Sequence, residues 1–387
     1  MPAFLTHWRV LIETAQRSQD AGSDLGSLIM DTTQLQRRLR GLTTQPQTTP
    51  AGAIWHTGPL AGVNAPYPGS DIAAMAYLGA LGPDIPGMGK KMKDQARFKE
   101  NRWELLLHSN CTGDLLIALL EYIADIPSPA LRSQALAFAM GYVTHIATDI
   151  ALHPYIHALS CVHPGGQPGV QHELIEQQLD EHLAEHYFGH QRFSWFYQPW
   201  EQYVLPAISE LRTNNSISSQ LLTLLGNAAE ATYHLTEAES NKFQQDYSKG
   251  LERLSNFLAG RGRFRWQTLA KSWKRPEEPK EELFKIGRSK KPEPDRVNIE
   301  ETLTYAVRLS ELLCRKAISY YASLRNTQAS AQERKQRRTQ LKDKLRNWDL
   351  ANGYTIEVLF EEEITVRFLH NWIHFADLWE NERVDGN

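Results

Sequence analysis

The sequence is poor in the features that most readily assign a chain to a class. Only three of its 387 residues are cysteine, Cys111, Cys161 and Cys314. They are too few and too scattered for a disulfide framework, so reduced thiols are expected. Runs that alternate apolar and polar residues are nearly absent, which argues against a sheet-based fold. No window reaches the roughly 18–20 consecutive apolar residues that a membrane-spanning helix needs, so any membrane contact is expected to be peripheral. The start, MPAFLTHWRVLIETAQRSQD, has no basic stretch ahead of a long apolar run and does not read as a secretory signal. A cytoplasmic protein, or one exported by a specialised secretion system, is the expectation. The net charge is only -3, so attraction to nucleic acid or anionic lipid has to be local.

What the chain does have is helical periodicity. Hydrophobic residues make up 41% and charged residues 22%, a globular balance. Apolar residues return at three and four positions in 4–18, 97–108, 111–125, 131–152, 170–188, 217–236, 300–325 and 355–380. The fold class read from this is all-α. Asp114 reads as the cap of LLIALLEYIADI, and Ser128 with Pro129 as the start of the helix that follows. Turn-rich stretches fall at 43–70, 163–169 and 271–297. The last mixes Lys, Arg, Glu and Pro with few apolar residues, as a solvated linker does. It divides the chain into a helical domain at 1–260, a charged linker at 261–298 and a helical region at 299–387. The basic clusters GRGRFRW and GRSKK read as solvated charge, with contact to phosphate groups the alternative.

Histidine is unevenly used: eight of the 14 lie between His145 and His190, where an even spread would place about two. In HIATDIALHPYIH, His145, Asp149, His153 and His157 are spaced by fours. At about 100° per residue, positions four apart share a helix face. Imidazole and carboxylate so placed are ligands for first-row metals. Taken singly, His145 reads as a satisfied polar residue. Three such groups among Ala147, Ile150, Ala151 and Leu152 would cost several kcal/mol to bury without partners. His153 precedes Pro154, which predicts that the helix ends there. A second run supplies His172, Glu176 and Asp180 at steps of four, with His172 and Glu176 the pair expected to complete a site. His182 and His186, and His370 and His374, repeat the spacing and read as solvated or packing positions.

FAMGYVTHIATDIALHPYI followed by HELIE resembles the zinc-dependent phospholipase C family, in particular the branch like the amino-terminal domain of glycosylphosphatidylinositol-specific phospholipase D, over roughly residues 1–190. The family is related to single-strand-specific zinc nucleases. The resemblance implies a helical bundle around a trinuclear zinc site, here with a helical C-terminal extension. It also supplies further ligands in order along the chain: His7 in FLTHW, Asp84 in AYLGALGPDIP and His108 in LLLHSNCTGDLL. One Zn2+ is then implied at Asp84, His108, His145 and Asp149, and a second at His153, His172 and Glu176. A third falls at His7 with Asp149 bridging and the amino-terminal nitrogen, so two or three ions are expected. That nitrogen normally comes from signal-peptide cleavage; here removal of Met1 would leave Pro2 ahead of His7. His157 would orient a ligand from one turn on.

Such a cluster would surround a phosphodiester with positive charge and lower the pKa of a bound water. Asp84 is the candidate catalytic base, though a simple helix-ending aspartate fits its context as well. The expected activity is hydrolysis of a phospholipid substrate, of phospholipase C type, at a peripheral membrane surface. Cleavage of phospholipase D type stays open. The segment at 62–93, apolar and then basic at Lys90, Lys91 and Lys93, reads either as a lipid-facing rim or as a buried helix ending in a solvated turn. A single-strand nuclease or nucleotidase would use aromatic platforms such as Trp55, Trp103, Trp195, Phe196 and Trp200, although these read equally as packing. No nucleic-acid partner belongs to the preferred reading. A non-catalytic, zinc-stabilised binding protein is the reading from another class. For an exported lipid-degrading effector, an export or immunity partner is a further expectation. The C-terminal half could cover the site, drive dimerisation or bind such a partner.

Overall fold

The computed structural model describes residues 4–20, 71–87, 102–162, 175–176, 179–180, 215–256, 299–350 and 354–355. Among these, the helices are α1 (Phe4–Asp20), α2 (Asp71–Gly79), α3 (Arg102–Ser109), α4 (Thr112–Ala124), α5 (Pro129–Val162), α6 (Asn215–Tyr233), α7 (Glu237–Asn256), α8 (Ile299–Arg325) and α9 (Ala331–Leu345). A 3-10 turn spans Gly82–Asp84, and a short antiparallel pair joins β1 (Trp348–Asp349) to β2 (Tyr354–Thr355). The all-α expectation holds.

The fold is organised around α5. Phe138, Met140, Tyr142, Val143, Ile146 and Ala147 on successive turns are all buried. A helix apolar on every side is stable only when other elements wrap it, and α1, α2, α4 and α8 all pack on this one. The stretch Leu131–His153 is long and apolar enough to cross a membrane, closer to such a span than the sequence reading allows, but it is entirely buried by the rest of the protein.

The helix also runs through Pro154 to Val162, where the proline predicts an end. A proline costs a helix one backbone hydrogen bond. Here Ala151, Leu152 and Ile156 bury on both sides of it, against Val10, Ile175, Leu179, Leu303 and Val307. Tertiary packing outweighs the local preference.

Other differences have equally local causes. The fourth helix starts at Thr112, with Cys111 ahead of it in a left-handed conformation and no side-chain cap. Asp114 lies inside the first turn, and its carboxylate accepts from Lys342 Nζ and Asn347 Nδ2, each at 2.8 Å. It docks a distant segment rather than capping its own helix. Ser128 does act at the start of α5, accepting from Leu131 N at 3.5 Å. The sequence reading passes over α7 and α9. In α7, Phe243, Tyr247, Leu251 and Leu254 bury at helical spacing within a polar sequence. Its start carries a reciprocal cap, in which Thr236 Oγ1 accepts from Glu239 N at 3.3 Å and Glu239 Oε2 accepts from Thr236 N at 3.0 Å. In α9 only Leu341 and Leu345 are buried.

Among the described residues of the 62–93 segment, the apolar side chains go inward. Met75, Ala76, Tyr77, Leu78, Ala80, Leu81 and Ile85 are all buried, so they form core and not a lipid-facing rim; the three lysines lie outside the described residues. The helices on either side of 261–298 share one core: Leu313, Cys314, Ala317 and Leu341 join Phe138 and Leu116 in a single cluster. The linker itself, 163–169 and 355–380 lie outside the described residues, apart from Thr355.

The crossing of α2 and α5 sets the site. A β-carbon at Gly79 would meet the carbonyl oxygen of Phe138 at 2.0 Å, and one at Gly141 would meet that of Ala76 at 2.0 Å. The two backbones therefore touch, which brings the turn after α2 against the next turn of α5. Gly141→Ala is expected to destabilise the protein by about 1–3 kcal/mol through overpacking, although alanine is intrinsically the better helix former by about 1 kcal/mol. Urea denaturation checks this, and an unchanged midpoint would contradict the close crossing.

Candidate metal centre

Two turns of α5 carry the middle of the site. His145 and Asp149, one turn apart, place Nε2 and Oδ2 3.0 Å apart. The His145 ring is oriented from its other side, with Nδ1 2.9 Å from the carbonyl oxygen of Ala80 at the end of α2. A carbonyl oxygen only accepts, so Nδ1 carries the hydrogen and the Nε2 lone pair faces inward. His108, in the last turn of α3, is held the same way, its Nδ1 2.7 Å from the carbonyl oxygen of Glu104.

The two Nε2 atoms lie 3.3 Å apart. Asp84, brought in by the 3-10 turn, places Oδ1 3.2 Å from His108 Nε2, and Asp149 Oδ2 is 3.7 Å from the same nitrogen. The turn is held by Tyr247, whose hydroxyl donates to the carbonyl oxygen of Gly82 at 3.0 Å. Asp84, His108, His145 and Asp149 are all buried, and His145 is fully so.

His7 comes from α1. Its ring stacks on His145 with centroids 4.1 Å apart and planes 8° from parallel, and its Nε2 lies 3.4 Å from Asp149 Oδ1. The two carboxylate oxygens of Asp149 therefore face different imidazoles. The first turn of α1 is pinned by Asp180, whose Oδ1 accepts from Thr6 N at 3.1 Å and Thr6 Oγ1 at 3.0 Å. One turn beyond Asp149, His153 Nε2 lies 3.3 Å from Glu176 Oε1, while its Nδ1 donates to the carbonyl oxygen of Leu350.

Seven of the eight expected ligands thus converge: His7, Asp84, His108, His145, Asp149, His153 and Glu176. His172 lies outside the described residues, as do the side chain of His157 and residues His182, His186, His370 and His374. Of the aromatic candidates, Trp103 is a packing residue, buried edge-on against Phe243 and donating to Asp246 Oδ2 at 3.1 Å. The other four lie outside the described residues. Sequence reasoning also missed the groups that orient the ligands. The carbonyls of Ala80, Glu104 and Leu350 leave no trace in a sequence. Asp180 does, since it continues the four-residue steps of His172 and Glu176.

The donor set suits a cation. Inward lone pairs and carboxylate oxygens crowd one another, and His7 Nδ1, Asp84 Oδ2 and Asp149 Oδ2 find no hydrogen-bond partner among the described residues. Buried polar atoms without partners are costly. Two overlapping groups, His7 with His145 and Asp149, and Asp84 with His108 and His145, bring their ligand atoms within 4.8 Å of one another, close enough to hold a metal ion.

Without a metal, protons take the cation's place. Burial pulls His108 down, but the hydrogen bond and charge of Asp84, with Asp149 behind it, raise it to about 10. Burial likewise opposes His153, which Asp149 and Glu176 raise to about 9. His7, buried and stacked on His145, is lowered to about 4. Burial pushes Asp149 up, yet His145, His153 and His7 together hold it well below the usual carboxylate range.

An all-α protein with a buried histidine–carboxylate centre is the class that this architecture defines. Residues 62–228 match the family model described as zinc dependent phospholipase C. This segment contains every converging ligand except His7. It begins later than the resemblance read from the sequence and continues into α6. No curated protein and no solved structure matches the chain.

Since a metal must displace the protons on His108 and His153, zinc affinity is expected to rise with pH towards the pKa values near 9 and 10, and uptake at pH 7 to release protons. Calorimetry in buffers of different ionisation heat checks the release; pH-independent uptake would contradict it. In the metal-free protein, Asp84→Asn is expected to drop the His108 titration from about 10, because burial alone lowers it; NMR titration reads the shift.

Proposed function

We propose that the chain is a zinc-dependent phosphodiesterase that hydrolyses phospholipids on the glycerol side of the phosphate. The observation that carries this reading is the buried meeting of His145, His108, Asp84 and Asp149 around inward-facing lone pairs, within a segment that matches the zinc-dependent phospholipase C family. One ion would be held by Asp84, His108, His145 and Asp149, and a second by His153, His172 and Glu176. A third would fall to His7, Asp149 and the amino-terminal nitrogen. The two faces of the Asp149 carboxylate support its assignment as the bridge between neighbouring ions. Bound zinc supplies Lewis acidity to the phosphodiester and draws the pKa of water toward neutrality.

The protein's own groups do the rest. Ala80 and Glu104 hold His145 and His108 in the tautomers that turn Nε2 inward. Asp84 places Oδ1 3.2 Å from His108 Nε2 and keeps Oδ2 free of hydrogen bonds to the described residues, which fits it to take the proton of the attacking water. The buried walls of α2 and α5 restrict water around these groups, which strengthens every charge interaction there.

Zinc-loaded protein is offered mixed zwitterionic and anionic phospholipid vesicles, and separately single-stranded DNA, with and without chelator. Chelator-sensitive release of a phosphorylated headgroup and diacylglycerol is the expected result. His145→Ala and Asp149→Asn are each expected to lower the rate by about 100-fold or more, at least the loss seen when outer groups of a metal site are removed. Phosphatidic acid as product would move the cleavage to the other side of the phosphate. Cleavage of DNA alone would make the centre a nuclease. A zinc-filled protein inert on both substrates would make the metal structural.

A further inference from the structure

The segment matched by the family model ends at residue 228, yet the centre is touched by the chain more than a hundred residues later. We infer that Arg346–Leu350 forms a backbone clasp on the metal centre, fixing which ring nitrogen of His153 faces the ions. This rests on the metal-centre reading above and adds a positioning element to it.

Leu350 is fully buried and uses both of its backbone groups on ligand-bearing residues. Its N–H donates to the carbonyl oxygen of His108 at 2.5 Å, one of the last carbonyls of α3, which have no partner within their own helix. Its carbonyl oxygen accepts from His153 Nδ1. A carbonyl can do nothing else, so the hydrogen of a neutral His153 is confined to Nδ1 and the Nε2 lone pair is turned to Glu176 and the centre. Ala80 and Glu104 do the same for His145 and His108 from within the matched segment. Leu350 does it from outside.

The clasp is itself anchored on the start of α4. Thr112 Oγ1 donates to the carbonyl oxygen of Trp348 at 2.9 Å. Asn347 accepts from Asp114 N at 3.2 Å and donates to its carboxylate at 2.8 Å. Arg346 holds a left-handed φ of 46°, a conformation that non-glycine residues rarely adopt. Its carbonyl oxygen lies where a β-carbon on Gly113 would meet it at 2.0 Å. These contacts fix the path of the backbone, and the path places Leu350 between α3 and α5.

Two full-length variants shift the anchor without touching a ligand. Gly113→Ala adds the obstructing carbon while improving α4's helix propensity; Thr112→Val removes the hydroxyl donor at nearly constant volume. Each is expected to keep wild-type helicity by circular dichroism and to bind its most weakly held zinc 10–100-fold less tightly, as outer-shell losses do. Native mass spectrometry would then show one ion fewer per chain at limiting zinc. Wild-type zinc content and affinity in both folded variants would overturn the clasp alone. A wild-type chain that takes up no zinc would overturn the metal-centre reading and the clasp with it. The zinc-loaded wild type decides independently of any variant's folding. Long-range 1H–15N spectra, assigned with His153→Gln, should show His153 protonated on Nδ1 with zinc on Nε2; zinc on Nδ1 would refute the clasp.

Discussion

Two imidazole nitrogens facing each other at 3.3 Å, both stripped of their hydrogens by carbonyls behind them, are the constraint on which the rest depends. While both rings are neutral, neither nitrogen has a hydrogen to donate to the other or to Asp84 and Asp149 beside them. In a buried, weakly screened setting such lone pairs repel, and a cation between them turns repulsion into coordination. A proton on His108, which Asp84 and Asp149 favour against burial up to about 10, answers the same need. The centre is thus defined less by the acids and histidines themselves than by the groups that turn their hydrogens away.

Those groups explain why the fold is built as it is. Ala80 can reach His145 only because α2 and α5 touch at Gly79 and Gly141. The same contact delivers the 3-10 turn and Asp84, and Tyr247 of α7 holds that turn from the other side. His7 can lie flat on His145 because α1 packs on α5 and is pinned by Asp180. His145 and His153 are oriented by carbonyls from outside the helix that carries them, whereas the partner of His108, Glu104, is one turn back on its own helix. Metal sites gain much of their affinity from such outer groups, and here they are largely backbone atoms whose positions belong to the fold.

That division marks what was legible in the sequence. Side chains with metal chemistry announce themselves by type and spacing, so His145, Asp149 and His153 stood out from periodicity, while His7, Asp84 and His108 needed a resemblance to be singled out. Long apolar helices were legible for the same reason, since periodic burial is written in residue type. The helices α7 and α9 were not, because a few well-spaced apolar residues suffice to dock a polar helix once neighbours exist. Pro154 misled because a local preference worth a few kcal/mol was opposed by core packing on both of its flanks. Asp114 misled because a carboxylate near a helix start can serve a distant partner as well as its own backbone. Carbonyl groups, identical at every residue, carried no signal at all, although they set the tautomers.

The sequence separation of the parts has an energetic consequence. Groups from residue 7 to residue 350 meet at one centre, so nothing resembling the site exists in an unfolded chain, and closing such long loops costs conformational entropy. The folded chain without metal carries an added burden: polar atoms of His7, Asp84 and Asp149 without hydrogen-bond partners among the described residues. An ion that binds this arrangement and not the unfolded chain stabilises the fold by its full binding free energy at the ambient concentration. Metal affinity and fold stability are then one quantity read in two ways. A contact as remote from the matched segment as Leu350 to His153 contributes to both, since it helps fix the arrangement that only the folded chain presents to the ion.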